Sequence, residues 1–66
     1  MNLIINGQEQ NVENIHSIVD LIQHMQLENK RIAVELNGTI VPKSAHALTF
    51  LSDGDALEIV VAVGGG

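Results

Sequence analysis

Two Asn-Gly pairs, Asn6-Gly7 and Asn37-Gly38, each follow a short run of alternating apolar residues, and that placement constrains the chain more than any other feature. A two-residue hairpin loop that matches the twist of its strands needs positive φ at both central positions, which Asn and Gly adopt at least cost. In the first run, Met1 to Asn6, Leu3 and Ile5 point one way and Asn2, Ile4 and Asn6 the other. Gln8 to Val12 returns as a polar strand suited to a sheet edge, with Val12 its one clear apolar anchor. In the second run Ile32, Val34 and Leu36 share a face, opposite Ala33 and Glu35. Thr39 to Val41 is its short partner, stopped by Pro42, which withholds a ladder amide.

Between the two hairpins lies a helix signal. Ser17-Ile18-Val19-Asp20 reads as a variant capping box, in which hydroxyl and carboxylate serve amides that the first helical turn leaves free. Asp20 also suits the positive end of the helix dipole. Ile18, Leu21, Ile22 and Met25 recur at helical spacing and form one apolar stripe, while Gln23, His24 and Gln26 face elsewhere. Leu27 to Arg31 is a polar connection with Leu27 tucked under the helix end. Past Pro42, Ser44, Ala45 and His46 fit a helical turn, followed by an extended piece around Thr49 to Leu51 and a turn at Asp53-Gly54-Asp55.

The last strand, Ala56 to Val63, is largely apolar on both faces, with Leu57, Ile59, Val61 and Val63 on one and Ala56, Glu58, Val60 and Ala62 on the other. That pattern marks a central strand. Hairpin, helix, hairpin, turn and final strand require the helix to cross one sheet face, so that a later strand can pair beside the first. The expected fold is α+β, a ubiquitin-like β-grasp with a mixed sheet of four to five strands packed against one main helix. It divides into a β-grasp domain over 1–63 and a flexible glycine tail over 64–66. The helix should cover Leu3, Ile5, Val34, Leu36, Leu57, Ile59 and Val61, leaving Ile4, Val60 and Ala62 on an open face as a partner-binding surface.

Size and composition narrow the function. A chain of 66 residues buries only about 60% of the surface it exposes when unfolded, which leaves little room for a core and an enclosed active site together. The expectation is a protein that is not itself an enzyme. Without cysteine there is no disulfide framework and no thiolate metal site. The formal net charge is -5, and Lys30, Arg31 and Lys43 make no stripe that could neutralise a run of phosphates, so nucleic acid is not an expected partner. The N-terminal apolar run is too short for a signal sequence and no stretch reaches the roughly 20 apolar residues of a membrane span, which points to a cytoplasmic chain with no membrane partner.

His16, His24 and His46 are dispersed in sequence, and although Asp20 and His24 stand one helical turn apart, two ligands make no metal site. Asp53 and Asp55 lack the remainder of a calcium loop and are better explained as turn residues. Neither Asn-Gly pair has phosphate-cradle spacing.

Gly64-Gly65-Gly66 directly follows Val63. At an average glycine usage of about 7%, three in succession at one chosen end arise by chance roughly three times in ten thousand. An artificial extension is the competing explanation. A segment without Cβ atoms can thread a slot too narrow for side chains and present the Gly66 carboxylate inside a partner. A carboxylate resists nucleophiles, so an enzyme must activate it first, most simply as an acyl-adenylate.

The Ser17-to-Met25 helix, the stretch Ile-Ala-Val-Glu-Leu-Asn-Gly-Thr-Ile-Val-Pro at Ile32 to Pro42, the Asp53-Gly54-Asp55 turn and the ending Val-Gly-Gly-Gly together resemble the sulfur-carrier family of thiamine biosynthesis. The resemblance covers essentially the whole chain. It implies that Gly66 is adenylated by an adenylyltransferase related to ubiquitin-activating enzymes, which uses the ATP, so that the chain itself binds no cofactor. It further implies that a cysteine desulfurase or other persulfide donor converts Gly66 to a thiocarboxylate, and that thiazole synthase takes the sulfur. Gly65 and Gly66 match the family's terminal pair, and Gly64 and Gly65 would thread into partner active sites. Two other readings share the fold: the small subunit of molybdopterin synthase, which is usually longer, and a ubiquitin-like protein modifier joined through Gly66 to a lysine amine.

Overall fold

A computed structural model describes residues 1–62. Its elements are β1 (Asn2–Ile5), β2 (Gln8–Asn11), α1 (Ile18–His24), β3 (Ile32–Leu36), β4 (Thr39–Val41), a 3-10 helix (Lys43–Leu48) and β5 (Ala56–Val61). The strands form one five-stranded sheet in the order β2-β1-β5-β3-β4. β5 runs parallel to β1 and antiparallel to β3, while each hairpin is antiparallel. The mixed sheet with a single α-helix is the architecture expected from the sequence, and β5 is its central strand.

Both turns close as the Asn-Gly pairs dictate. Asn6 and Asn37 stand at φ 51 and 50, and Gly7 and Gly38 at 82 and 87, so each pair supplies the two positive φ angles of a tight hairpin. The helix start also follows its sequence. Ser17 caps it, its Oγ accepting from the Asp20 amide at 3.3 Å, while Asp20 Oδ2 accepts from the amides of His16 at 2.8 Å and Ser17 at 3.1 Å. Those two amide bonds hold the Asp20 carboxyl below the usual aspartate range, because both favour its charged form.

The helix end has a less obvious cause. Gln26 takes φ 61, its amide bonds to the Gln23 carbonyl at 3.0 Å, and the Leu27 amide reaches back to Ile22 at 3.0 Å. This paired closure is the Schellman motif, with glutamine at the position that glycine usually fills. It turns Leu27 back against the core, where it is half-buried.

Leu3, Ile18, Leu21, Val34 and Leu57 are the largest fully buried side chains, joined by Ile5, Val12, Ile15, Ile22, Leu51 and Ile59. Ile15, which carries no periodic signal, closes the core from the link between β2 and α1. Across from it Thr49 to Leu51 is extended, with the Ile18 amide on the Thr49 carbonyl at 3.1 Å and the Leu51 amide on His16 at 2.8 Å.

One expectation about the covered face fails. Val61 has the parity of Leu57 and Ile59 but is 37% exposed. The seven residues of α1 reach about 10 Å, whereas the six of β5 extend about 20 Å. The helix therefore cannot cover the whole strand, and the Val61 end lies open. The predicted Val63 position and the predicted tail over 64–66 fall outside the described residues.

Candidate functional site

β5 leads to the candidate site. Its ladder to β3 comprises five residue pairs, from Leu36 opposite Leu57 to Ile32 opposite Val61, and its ladder to β1 comprises Ile4 with Ala56 and Ile5 with Leu57. The Ala62 amide then donates to the Arg31 carbonyl at 2.8 Å, the last bond before residues 63–66. The start of β5 is thus held from both sides, whereas its end, Val60 to Ala62, is held from the β3 side. Gly64, Gly65 and Gly66, which carry the chemistry expected from the sequence, lie outside the described residues.

On the open side of the sheet, Ile4 is 38% and Val60 61% exposed, and Ala62 is exposed as well. These residues do not form a single patch. Ile4 stands opposite Ala56, whereas Val60 lies four positions further along β5, about 13 Å away. Val60 and Ala62 neighbour the root of the tail, beside exposed Ala33 on β3, and Glu58 separates them from Ile4. Ile40, 71% exposed on β4, belongs to the same face by its pairing with Glu35, and the alternation of Thr39, Ile40 and Val41 carried the signal that would have found it.

Glu35 and Glu58 are directly opposed across β3 and β5. Like charges at facing positions weaken a sheet, so the pairing is not explained by stability. With Val60, Ala33 and Ile40 around it, the face combines acid and aliphatic surface.

The polar residues with no expected role in the chemistry behave as turn and packing groups. Asp53 Oδ1 accepts from the Asn2 amide at 2.6 Å, Asp55 Oδ2 from the Ser52 amide at 2.8 Å, and Asp55 Oδ1 from Asn37 Nδ2 at 3.0 Å. Both carboxylates thus tie the turn into β5 to its neighbours. His16 and His24 are exposed, while His46 is buried on the 3-10 helix with Nε2 3.1 Å from the Val41 carbonyl. Among the described residues no three or more His, Asp or Glu side chains gather as metal ligands, and no helix is long and apolar enough to cross a membrane.

With this geometry in place, comparison with known proteins identifies the family. The model of the ThiS family matches residues 3–66, nearly the full length. The chain belongs to the ThiS family. The sulfur carrier protein ThiS of Bacillus subtilis is 46% identical over 50 residues, covering 76% of each chain. A thiazole synthase of Paramagnetospirillum magneticum is 42% identical over 66 residues, the whole of this sequence but only 20% of that protein's length. The crystal structure of the thiamine biosynthesis protein ThiS from Geobacter metallireducens superposes with a TM-score of 0.84 at 32% identity, covering both chains in full. The ubiquitin-like β-grasp assignment and the family resemblance read from the sequence both hold.

Proposed function

We propose that this protein carries sulfur as a thiocarboxylate on Gly66 and delivers it for thiazole formation in thiamine biosynthesis. The observation that carries the reading is a ThiS-family match running through residue 66, on a chain whose central strand β5 ends at Val61, three positions before Gly64-Gly65-Gly66 in the sequence. The chain acts as a substrate of other enzymes, not as a catalyst, and works in the cytoplasm without a bound cofactor.

The chemistry follows from the inertness of a carboxylate. An adenylyltransferase related to ubiquitin-activating enzymes lets a Gly66 carboxylate oxygen attack the α-phosphorus of ATP, releasing pyrophosphate and leaving an acyl-adenylate. The terminal sulfur of a persulfide, supplied by a cysteine desulfurase or another donor, attacks the acyl carbon and expels AMP. A thiol reductant then cleaves the resulting acyl disulfide, leaving the thiocarboxylate on Gly66. Thiazole synthase is the proposed acceptor, and the similarity of this whole chain to part of a protein of that name supports the pairing. Gly64 and Gly65 thread the partner active sites because no Cβ obstructs them. Val60 and Ala62, at the root of the tail, and Ile4 at the other end of the sheet contribute partner-binding surface.

Incubation with the adenylyltransferase, ATP and a persulfide source should raise the intact mass by the difference between sulfur and oxygen, confined to the C-terminal peptide. One residue added after Gly66 should abolish that gain with thermal unfolding unchanged, and Val60→Asp should slow it. An unchanged mass for the parent chain, or full loading of the extended one, would sink the proposal.

A further inference from the structure

The chain has three Lys and Arg residues against eight acids, and all three cations line one cleft of ≈ 590 Å³. Lys30 and Arg31 come from the link between α1 and β3. Lys43 opens the 3-10 helix, which packs against α1 and so brings a residue distant in sequence to the same rim. The floor is aliphatic, formed by Ile22, Leu27 and Ile32, which are buried or half-buried. Among the described residues, Glu28 is the one acid in the lining.

In a chain of net charge -5 this concentration is not explained by stability, because exposed charges at a surface contribute little to folding. Nor does the cleft suit a small discrete anion. Such an ion needs rigid donors converging on one point, whereas Lys30, Arg31 and Lys43 are all exposed on long side chains. The buried polar group in the wall, His46, already directs Nε2 at the Val41 carbonyl. A diffuse cationic rim over an apolar floor instead complements an extended acidic segment that brings an aliphatic side chain.

Position narrows the partner. The Arg31 carbonyl holds the Ala62 amide, so the cleft adjoins the point at which β5 passes into residues 63–66, on the end of the sheet that α1 leaves uncovered. A protein that engages the residues after Ala62 meets the chain at this end of β5, beside Arg31. We propose that the cleft docks an acidic, aliphatic-bearing segment of the protein that receives the tail, with carboxylates on Lys30, Arg31 and Lys43 and an apolar side chain on the Ile22 and Leu27 floor. The identity of that protein rests on the carrier function proposed above, but the chemistry of the cleft is testable without it.

The test titrates a short peptide of alternating Glu and Leu into the isotope-labelled full chain and follows backbone amide signals. Shifts should concentrate at Leu27 to Ile32 and Lys43 to His46, weaken with added salt, and require about tenfold more peptide once K30E and R31E are combined. K43E alone should weaken binding in the same direction, and well-dispersed spectra verify that each variant is folded. No shifts, shifts centred on Val60 and Ile40, equal binding of a Lys-for-Glu peptide, or the same shifts produced by inorganic phosphate at equal concentration would each overturn the proposal. Adding the residue after Gly66 should leave peptide binding intact while sulfur loading is lost, so failure of the cleft and failure of the carrier reading give different results.

Discussion

The two hairpins begin from the same dipeptide and nearly the same backbone angles, yet each uses its asparagine differently. In the first, β1 has only two partners on β5 before the chain turns away, and the Asn6 side chain continues the ladder: Oδ1 accepts from the Ile59 amide at 2.8 Å and Nδ2 donates to the Ile59 carbonyl at 3.2 Å. A side-chain amide thus replaces the next backbone amide of a strand. In the second, β3 is already fully paired with β5, and Asn37 acts beyond the end of that ladder, accepting from the Ala56 amide at 3.0 Å and donating to Asp55 at 3.0 Å. One asparagine satisfies the middle of the central strand, and the other fixes its entry. A turn residue chosen for its φ can therefore also be a sheet residue, with a weight set by what would remain unpaired without it.

The largest expected effect separates those roles. Asn6→Gly retains the positive φ but strips both partners from Ile59, a residue only 5% exposed. Two bonds at a partly buried site imply a loss of about 2–3 kcal/mol. Asn37→Gly removes bonds that are both exposed, for which about 1 kcal/mol is the scale. The entropy that glycine adds to the unfolded chain is common to both and cancels. Urea unfolding of the pair should show the first variant clearly weaker, and equal midpoints would mean that the ladder extension at Ile59 contributes nothing.

This difference also marks what could be read from the sequence. The hairpins, the capped helix and the central position of β5 were legible because each rests on a local pattern: positive-φ pairs, a capping box, and apolar residues on both sides of a strand. The lateral bonds of Asn6 to Ile59 were not, since nothing local links residues so far apart in the chain. Ile15 was missed for a related reason, being an isolated aliphatic without periodicity, and Gln26 because no sequence rule points to glutamine at a left-handed helix end. Val61 was misassigned because alternation gives the parity of a strand but not the length of the helix above it. At the candidate site, Gly64 to Gly66 stand out in the sequence by composition and resemblance and lie outside the described residues. The convergence of Lys43 on Lys30 and Arg31 requires the packing of the 3-10 helix on α1, and stayed hidden.

A second substitution sharpens the contrast through charge. Asn37→Asp retains an acceptor for the Ala56 amide but exchanges the donor facing Asp55 for a second carboxylate. Like charges at a partly exposed turn should cost roughly 1 kcal/mol near neutral pH. Repulsion raises the folded-state pKa of the new carboxyl above its unfolded value. The penalty is therefore present above the folded pKa and disappears as pH falls below the unfolded value of about 4. Thermal melts of variant and parent should converge on acidification and separate again at neutral pH. A gap that stays constant with pH would show that Asn37 matters for its geometry alone.

The smallest effect is a difference expected to vanish. Gly7 and Gly38 occupy φ 82 and 87, and a Cβ built at either would meet nothing within 4 Å. Alanine at each position then costs only the left-handed backbone, about 1 kcal/mol, and the two variants should unfold at matching denaturant concentrations. Agreement would place the whole asymmetry of the hairpins in the asparagine side chains. If Gly7→Ala proved much weaker than Gly38→Ala, backbone strain at the first turn would be displacing Asn6 from Ile59, and the loss in Asn6→Gly could no longer be assigned to its two hydrogen bonds.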